Sequence, residues 1–379
     1  MTGMSDRHAA IVVTTIFEPL FLDGYVENLR RFGRDDVEII VIVDRKTPPS
    51  VAERCEHHRR AGMRLSCPTL DEQEALLARF PSLKSRIPYD SDNRRNIGFL
   101  MALESGADVL ITIDDDNYCL DDVDFVGEHL AAGNMMPGPA TESDDQWINI
   151  CSLLHSSTKD EIFPRGFPYF ARRRARTLRP VHNADARVAV NVGLWLSDPD
   201  VDAMTRLTQA PHIRSAEPHS FRLGDATWTP INTQNTAIVR DALPAYYYVR
   251  MGFSLGGLRI DRYGDILSGY LIQKCVKTRG DAIRVGSPIA DHRRTPHNLF
   301  KDLYHELAGM VLIEDLLPWF VDLKLQSGSY SEMYAELADL VEEKSASMRG
   351  FVWDEGGRDF LVDTANNMRA WLDAVRMIG

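Results

Sequence analysis

Residues Asp108–Asp116, with the sequence DVLITIDDD, decide the fold of this chain. Up to Ile113 the stretch is a short run of apolar and β-branched side chains, which is typical of a strand buried on both faces, as in a parallel sheet. Three adjacent carboxylates follow this run without a spacer. The carboxyl ends of parallel strands are where open α/β sheets bind ligands. The stretch therefore predicts a buried strand that ends in an acidic ligand site.

Two similar runs and one helical pattern lie on the N-terminal side of this strand. Ala10–Ile16 (AIVVTTI) and Val37–Val43 (VEIIVIV) each predict a further buried strand. Ser91 or Asp92 can cap a helix that follows, and Gly106 supplies a stop signal just before the acidic strand. This alternation of strand, helix and strand favours a doubly wound α/β sheet.

The second half of the chain carries two more strand patterns and a helical end. Ala189–Trp195 and Ala282–Val285 are short apolar runs that predict strands. Ser329 and Glu332 have the spacing of a capping box at the start of a helix. A second amphipathic helix is marked by apolar residues at helical spacing, namely Leu361, Ala365, Met368, Leu372 and Val375. We expect these C-terminal helices to cover the core, with an oligomer surface as the alternative use.

The composition excludes several classes of protein. A formal net charge of −12 argues against duplex nucleic acid as a partner, because phosphate binding needs a basic face. The longest apolar runs fall far short of the ~20 residues of a membrane span, and residues 1–8 are polar and carry no signal-peptide core. We therefore expect a cytoplasmic protein without a membrane partner. The five cysteines include no C-x-x-C pair, so they predict neither a disulfide framework nor a zinc site.

The three carboxylates Asp114, Asp115 and Asp116 are the first candidates for chemistry. Adjacent carboxylates repel one another, and a divalent cation relieves that repulsion. Hard oxygen ligands suit Mg²⁺ or Mn²⁺. The alternative interpretation is a solvated acidic loop or a helix cap, but the preceding strand favours a metal site.

Three further motifs carry candidate side chains. Asp265 ends the acidic segment Asp261–Asp265, where it can act as a base, as a nucleophile or as the partner of a sugar hydroxyl; a helix N-cap is the alternative. His292 can complete a metal shell or serve as an ordinary hydrogen-bonding residue. Arg165 lies in a loop rich in proline and aromatic residues, and its guanidinium can pair with phosphate or form a surface salt bridge. Arg172 belongs to an arginine cluster next to this loop, which suits a diphosphate site or a solvated helix face.

Five motifs occur in order along the chain, namely Thr112–Asp116 (TIDDD), Phe163–Pro168 (FPRGFP), Gly193–Ala203 (GLWLSDPDVDA), Arg262–Asp265 (RYGD) and His292. Together they resemble the reversibly glycosylated polypeptides, which are the flavin-independent UDP-arabinopyranose mutases. The resemblance covers about residues 8–320, and several motifs in order are far more specific than any one of them. The family also has similar bacterial relatives that interconvert GDP-linked 6-deoxyhexoses, such as GDP-rhamnose, between pyranose and furanose forms.

This resemblance implies a glycosyltransferase-A-like α/β fold, with a doubly wound mixed sheet and C-terminal helices. A catalytic domain that binds a nucleotide-sugar would occupy residues 1–320, and a helical extension would occupy residues 321–379. No flavin is implied, and no G-x-G-x-x-G follows the first strand. The resemblance and the C-terminal helices are also compatible with a homo-oligomer.

The resemblance further implies a metal site and a nucleotide site. The metal, Mn²⁺ or Mg²⁺, would sit on the diphosphate, and the matched ligand positions are Asp114, Asp115, Asp116 and His292. The matched nucleotide positions are Thr14, Asp44, Arg94, Arg95 and Asp114. Of these, Thr14 and Asp44 would face the nucleobase and ribose, and Arg94 and Arg95 would lie near the diphosphate.

The implied catalytic residues are Arg165, Asp265 and Arg172. Arg165 matches the family arginine that is linked to reversible glycosylation and required for activity, and Arg172 falls where the family has a second arginine. An arginine with a pKa above about 12 is a poor nucleophile. We therefore expect Arg165 to act electrostatically on the departing phosphate before it acts covalently.

The expected function is a metal-dependent mutase that interconverts the pyranose and furanose forms of a nucleotide-linked sugar. A GDP-linked 6-deoxyhexose such as GDP-rhamnose is the favoured substrate, and otherwise a UDP-linked pentose. A glycosyltransferase that passes the sugar to a separate acceptor would use the same metal and diphosphate contacts, so it stays open as an alternative. A non-catalytic sugar-nucleotide binder is the second alternative.

Overall fold

The computed structural model describes residues 7–182 and 184–379. The polar N-terminus that led to the expectation of a cytoplasmic protein lies largely in residues 1–6, outside the described residues. The strands are β1 Ala9–Thr15, β2 Val37–Val43, β3 Leu65–Ser66, β4 Val109–Ile113, β5 Asn117–Cys119, β6 Met135–Met136, β7 Ala140–Ser143, β8 Leu154–Ser156, β9 Leu178–Val181, β10 Ala186–Ser197, β11 Ile213–Ala216, β12 Phe221–Leu223, β13 Asn235–Val239, β14 Phe253–Leu255, β15 Leu258–Ile260 and β16 Ala282–His292. The helices are α1 Leu20–Arg31, α2 Pro49–Arg60, α3 Leu70–Ala78, α4 Pro81–Lys84, α5 Arg95–Glu104, α6 Phe125–His129, α7 Tyr169–Arg172, α8 Ala203–Thr208, α9 Gly264–Arg279, α10 Leu299–Asp322, α11 Tyr330–Ser345 and α12 Arg358–Ile378.

Strands β3, β2, β1 and β4 form the parallel half of the central sheet, and β1 lies between β2 and β4. Ala9 pairs with Val37 on one side and with Val109 on the other, and both registers continue without a shift. The side chains from Ala9 to Val13 are 0% exposed, as expected for a strand that is covered on both faces. The structure confirms the three predicted N-terminal strands to within one residue at each end.

The other half of the sheet contains both strand directions. Strand β13 runs antiparallel to β4, β10 runs antiparallel to β13, and β16 runs parallel to β10. In the described residues the order is β3-β2-β1-β4-β13-β10-β16-β12-β7-β9. This sheet and the C-terminal helices confirm the predicted α/β class with a mixed sheet. Because two successive antiparallel pairings restore the direction, β16 runs the same way as β4, and its last residue, His292, reaches the edge that holds Asp114–Asp116.

Helix α5 packs against β1 and β2 through a glycine. A Cβ on Gly98 would lie 2.4 Å from Val12 Cγ1, so only glycine permits this approach. Ser91 caps the 3-10 turn that leads into α5, and Gly106 follows the helix with φ at +79°, which confirms the predicted start and stop signals. The helix therefore begins at the carboxyl ends of the parallel strands, where it carries Arg95 to the sheet edge.

The C-terminal helices cover the core. The predicted capping box of Ser329 and Glu332 is present at the start of α11. The five apolar residues predicted to mark the second helix are all buried in α12. Trp371 of α12 is 0% exposed, lies with its ring centroid 6.2 Å from that of Tyr247, and donates from Nε1 to the carbonyl of Leu243 at 3.3 Å. Helix α12 thus packs on the segments that follow β13.

Two absences can be stated for residues 7–182 and 184–379. No helix combines the length and the apolar character needed to cross a membrane. The five cysteines are free thiols.

His129, the last residue of α6, is fully buried against β10 and β13. Its Nε2–H donates to Asn235 Oδ1 at 2.8 Å, and its Nδ1 accepts from Asn191 Nδ2 at 3.1 Å. Asn235 Nδ2 donates to two backbone carbonyls, so its oxygen must face the imidazole. Burial lowers the pKa of His129 to about 3; the hydrogen bond with Asn235 opposes this shift, and the charge of Arg284 adds to it. One ring nitrogen thus donates and the other accepts, which is the hydrogen-bonding pattern of a neutral imidazole.

We expect the free energy of unfolding to fall as the pH drops from about 6.5 towards 3. In this window the unfolded chain binds a proton at His129 and the folded chain does not, so stability falls by up to about 1.4 kcal/mol per pH unit. The variant His129→Gln should lack this part of the slope, although it is less stable at neutral pH. Urea titrations at several pH values measure the slopes, with the exposed His57→Gln as the control. Equal slopes for wild type and His129→Gln would contradict the assignment of a neutral imidazole.

Candidate active site

A cleft of about 280 Å³ opens at the edge of the sheet, over the carboxyl ends of β1, β2 and β4. Its walls contain nearly all of the residues that the sequence singled out, namely Thr14, Asp44, Arg94, Arg95, Asp114, Asp115, Asp116, Arg165, Asp265 and His292. Segments that are far apart in sequence thus converge around one cavity. Arg172 lies outside its walls.

Arg95 ties the acidic strand end to the neighbouring strand. Its Nη2 donates to Asp114 Oδ1 at 2.7 Å and to Thr14 Oγ1 at 3.1 Å, while its Nη1 donates to Thr112 Oγ1 at 2.8 Å. Burial raises the pKa of Asp114 to about 7; Arg95 opposes this shift, and the charge of Asp116 adds to it. Arg95 is therefore the internal counter-ion of the acidic cluster, and it holds the ends of β1 and β4 together.

The next two carboxylates have different partners. Asp115 accepts a hydrogen bond from Thr15, and burial raises the pKa of Asp115 to about 6 although that bond opposes the shift. Asp116 Oδ2 lies 3.2 Å from His292 Nε2, because β5 and β16 pair side by side. Burial opposes ionisation of Asp116, but the hydrogen bond and charge of His292 outweigh it and lower the pKa of this carboxyl. The Nδ1–H of His292 donates a hydrogen bond to the backbone carbonyl of Asp198, and this bond orients the ring.

The donor set at this edge fits a divalent metal only in part. Among the described residues, no three carboxylate, imidazole or thiol groups converge as a ready-made metal centre. Asp114 accepts from Arg95 and Asp115 from Thr15, whereas Asp116 accepts from Asn117 through Oδ1 and lies beside His292 through Oδ2. Asp116 and His292 are the candidate pair in which a carboxylate meets an imidazole. One carboxylate oxygen and one imidazole nitrogen suit Mn²⁺ when substrate oxygens complete the shell. Since the ring is oriented through Nδ1, its Nε2 is directed at Asp116 and suits a joint metal site.

Arg165 is held between two carboxylates. Its Nε lies 2.9 Å from Asp200 Oδ1, and its Nη2 lies 2.6 Å from Asp265 Oδ2. Its backbone N–H also donates to the carbonyl of Asp200 at 2.8 Å. Gly166 follows with φ at +83°, and a Cβ there would lie 2.4 Å from Ile266 Cγ2, so the turn after Arg165 requires glycine. Burial lowers the pKa of Arg165, but the two carboxylates outweigh it and raise that pKa well above its usual value.

Asp200 is a site residue that the sequence did not single out. It lies within the motif Gly193–Ala203, is 7% exposed and lines the cleft. Burial opposes its ionisation, but Arg165 lowers the pKa of this carboxyl, and a hydrogen bond from Asn232 at 2.7 Å contributes. The motif itself was a signal for Asp200, but its partner lies in another motif, so sequence alone did not connect the two.

Arg172 is turned away from the cleft. Its guanidinium pairs with Asp202, which is 0% exposed, and stacks over the ring of Tyr169 with 3.8 Å between Cζ and the ring centroid. Asp202 also accepts from the backbone N–H of Thr205 at 2.8 Å and so caps α8. These contacts place the Arg172 guanidinium against Asp202 and Tyr169, outside the walls of the cleft.

Arg94 lines the cleft close to Asp44 and is almost fully buried, with 1% of its surface exposed. Its Nη2 donates to Gln73, and its Cζ lies 4.1 Å from the ring centroid of Tyr89. Its Nε and Nη1 have no hydrogen-bond partner among the described residues. Buried donors without a partner are costly, so Arg94 is a candidate to bind a polar group in this part of the cleft.

Comparisons with known proteins agree with one another on the family. The chain is 28% identical to "Probable UDP-arabinopyranose mutase 4" of Arabidopsis thaliana over 68% of this chain and 66% of that protein. It is 29% identical to "UDP-arabinopyranose mutase 3" of the same plant over 70% and 67%. It is 32% identical to "UDP-arabinopyranose mutase 1" of Arabidopsis thaliana over 48% of each chain. The matches thus span between about half and two thirds of the length of these relatives.

The solved structures to which the chain is similar are more distant. The glucosyl-3-phosphoglycerate synthase of Mycobacterium tuberculosis matches with a TM-score of 0.39 and 13% identity, over 81% of this chain and 80% of that one. TarS 1-349 of S. aureus in complex with UDP-GlcNAc matches with a TM-score of 0.42 and 11% identity, over 98% and 90%. The family model for the reversibly glycosylated polypeptide matches residues 4–379. Because this match covers nearly the whole chain, the protein belongs to the reversibly glycosylated polypeptide family.

Proposed function

We propose that this protein is a divalent-metal-dependent mutase, which interconverts the pyranose and furanose forms of a nucleotide-diphosphate sugar without a flavin. The observation that carries the proposal is the combination of two pairs of groups in one cleft. Asp116 and His292 form a carboxylate–imidazole pair, and Asp200 and Asp265 form a pair of carboxylates around Arg165. The names of the plant relatives, which are UDP-arabinopyranose mutases, support the same class of reaction.

The first pair suits the diphosphate. Asp116 and His292 would hold Mn²⁺ or Mg²⁺ together with the diphosphate oxygens of the substrate. When bound, the cation offsets the negative charge that develops on the diphosphate as a leaving group. Arg95 keeps Asp114 in place beside this pair and lowers the repulsion among the carboxylates.

The second pair suits the sugar. In a ring exchange the 4-hydroxyl loses a proton as its oxygen bonds to C1, and the former ring oxygen gains a proton as its bond to C1 breaks. Asp265, a buried carboxylate on the cleft wall, is the group that takes and returns this proton. The diphosphate leaves C1 with its electron pair and bonds to C1 again after ring closure, so the product has the same atoms as the substrate.

Guanine is the base that we propose, with uracil as the alternative that the names of the relatives favour. Asp44 on the cleft wall can accept from the N1–H and the amino group of guanine, and the unpartnered donors of Arg94 suit its carbonyl or N7 acceptor. Uracil offers one ring N–H between two carbonyls, so it would leave one Asp44 oxygen facing a carbonyl. A GDP-linked 6-deoxyhexose such as GDP-rhamnose is therefore the first substrate to test, and a UDP-linked pentose is the second.

The variant Arg94→Gln tests the base preference. We expect it to lower the ratio of kcat/KM for the GDP-sugar to that for the UDP-sugar by about ten- to hundredfold, since a charged donor to a base carbonyl is lost. Arg45→Gln is the matched control, because Arg45 stacks at 3.9 Å on the same Tyr89 ring but is exposed and lies outside the cleft walls. A ratio that is unchanged in Arg94→Gln would show that this arginine does not read the base.

A glycosyltransferase is the second candidate function, and one feature of the surface favours it. A further cavity of about 780 Å³ adjoins the cleft and shares Asp92, Tyr248 and Arg262 with it. A space of this size next to a sugar-nucleotide site is where an acceptor would bind. The metal-ligating pair and the carboxylates would serve a transferase equally well.

Incubation with nucleotide-sugars in the absence of any acceptor separates the two functions. The purified protein is supplied with Mn²⁺ and a panel of GDP- and UDP-sugars, and the products are resolved by chromatography and mass spectrometry. A mutase yields an isomer of equal mass, and the reaction stops when EDTA removes the metal. Tight binding with hydrolysis only, or with no product until an acceptor is added, would replace the mutase by a transferase.

A further inference from the structure

Arg95, which the resemblance placed near the diphosphate, is engaged inside the protein. Its two Nη groups donate four hydrogen bonds, and the acceptors are the side chains of Thr14, Thr112 and Asp114 and the carbonyl of Ile113. Its side chain is 4% exposed, and the carboxylate of Asp114 meets its charge. Arg95 therefore has no Nη hydrogen left for the oxygens of a diphosphate.

Arg294 is an arginine of the cleft wall that keeps most of its N–H groups. Its side chain is 12% exposed and lines the cleft. Its Nη2 donates to Asp302 Oδ2 at 2.7 Å, and this is the only hydrogen bond that the side chain makes within residues 7–182 and 184–379. A guanidinium carries five N–H donors. Two other arginines of the cleft wall, Arg206 and Arg262, each donate to at least two protein acceptors. Of these three, Arg294 is the one that keeps Nε and Nη1 for a ligand.

Backbone pairing fixes Arg294 beside the carboxylate–imidazole pair. Strand β16 ends at His292, whose Nε2 lies 3.2 Å from Asp116 Oδ2. The backbone N–H of the next residue, Arg293, donates to the carbonyl of Asp116 at 2.8 Å. Arg294 follows directly, and Asp302 in the first turn of α10 holds its guanidinium. An anion at this edge of the cleft would therefore meet both the pair and the guanidinium.

A mutase has a particular need to retain such an anion. In the ring exchange the nucleoside diphosphate leaves C1 with the electron pair of the C1–O bond, and the same group must later bond to C1 again. If it diffuses away in the interval, water bonds to C1 instead and gives up a proton, and the products are the free sugar and the nucleoside diphosphate. A mutase therefore needs protein groups that bind the diphosphate when no sugar is attached to it, whereas a transferase releases its nucleotide in every cycle.

We propose that Arg294 retains the nucleoside diphosphate in the cleft while the diphosphate is detached from the sugar, by donating from Nε and Nη1 to its oxygens. The inference rests on the proposed function. A charged guanidinium is well suited to bond phosphate oxygens, because it presents several N–H groups in one plane. Asp302 is the positioning residue, since it holds one side of the guanidinium and leaves the other N–H groups free. Arg294 acts on the leaving group alone, whichever protein group faces the sugar.

Binding of nucleotides without a sugar tests the contact independently of turnover. Calorimetry in EDTA compares GDP with guanosine, and UDP with uridine, on the wild type and on Arg294→Gln. EDTA removes the contribution of a metal, so the diphosphate is bound by protein groups only. We expect the variant to bind the preferred nucleoside diphosphate about tenfold or more weakly, because a charged donor to phosphate is lost. Its affinity for the nucleoside should be unchanged. Equal affinity of both proteins for the nucleoside diphosphate overturns the role of Arg294, for a mutase and a transferase alike.

The ratio of hydrolysis to isomerisation tests retention itself. Each protein is incubated with Mn²⁺ and the preferred sugar nucleotide, and the free sugar and the isomer of equal mass are both quantified. We expect Arg294→Gln to raise the ratio of free sugar to isomer about tenfold or more, because the nucleotide escapes before it bonds to C1 again. Arg294→Lys should give an intermediate ratio, since lysine keeps the charge but not the planar set of donors. A merely structural role would lower both products together, so a lower rate with an unchanged ratio overturns the proposal.

Arg293→Gln is the matched control for both measurements. Arg293 is the neighbouring arginine, but its side chain is 62% exposed, pairs with Asp291 at 2.7 Å and is not part of the cleft wall. We expect this variant to keep the affinity and the product ratio of the wild type. If Arg293→Gln and Arg294→Gln reduce affinity equally, the effect is a general loss of positive charge near the cleft and the proposal fails. A wild type that forms only hydrolysis products would instead refute the proposed mutase, and retention with it, while the binding measurement still reports on the contact.

Discussion

Replacing Asp116 by asparagine should lower kcat/KM for the isomerisation without acceptor by at least about a hundredfold. Asp116 Oδ2 lies 3.2 Å from His292 Nε2, and its pKa is held below the usual value against the effect of burial, so it is the charged oxygen ligand of the proposed metal pair. Asparagine keeps the shape of the side chain but removes the charge that attracts a divalent cation. The change in kcat/KM is measured from initial rates over a range of Mn²⁺ concentrations.

The matching change His292→Gln should raise the Mn²⁺ concentration needed for half-maximal rate, since one nitrogen ligand is replaced by a weaker oxygen ligand. Asp121→Asn is the control, because Asp121 lies a few residues further along, is exposed and is not part of the cleft wall. A rate and a Mn²⁺ dependence in Asp116→Asn equal to those of the wild type would remove the metal pair from the mechanism.

Replacing Trp371 by alanine should lower the free energy of unfolding by about 3–5 kcal/mol. The indole is 0% exposed, packs near the ring of Tyr247, and donates a hydrogen bond to the carbonyl of Leu243. Its removal leaves a cavity between α12 and the segment after β13 and leaves that carbonyl without its donor. Urea titrations followed by circular dichroism measure the change.

The control for this prediction lies on the same helix. Met377 of α12 is 62% exposed, so Met377→Ala should change stability by less than about 0.5 kcal/mol. If Trp371→Ala lowered the free energy of unfolding by less than about 1 kcal/mol, α12 would be only loosely attached to the core. A single cooperative unfolding transition, together with a large decrease in the free energy of unfolding, would instead show that residues 321–379 unfold together with the residues that build the site.

Local patterns were sufficient for the elements that position the acidic cluster. The run Val37–Val43 is apolar except for Glu38, and its predicted bounds are those of β2. Such a run must be buried on both faces, and a strand of this kind is parallel to its neighbours in most α/β sheets. The capping box at Ser329 was likewise predictable, since both of its partners lie within one helical turn.

Long-range pairing was beyond these patterns. The antiparallel strand β13 lies between β4 and β10, and its apolar residues carry no mark of direction. Yet this strand decides that β16 runs parallel to β4 and that His292 meets Asp116. The sequence named His292 as a metal ligand through resemblance, whereas the contact itself depends on the order of strands across the sheet.

By itself, the sequence determined the parallel half of the sheet, the acidic strand end and the helical C-terminus, because hydrophobic periodicity and caps act over a few residues. Only the tertiary structure decided which carboxylates the two candidate arginines bind. Arg165 meets Asp200 across 35 residues and Asp265 across 100, while Arg172 meets Asp202 across 30. A buried guanidinium is governed by the carboxylates that the fold brings to it, and that pairing depends on distances that local sequence does not encode.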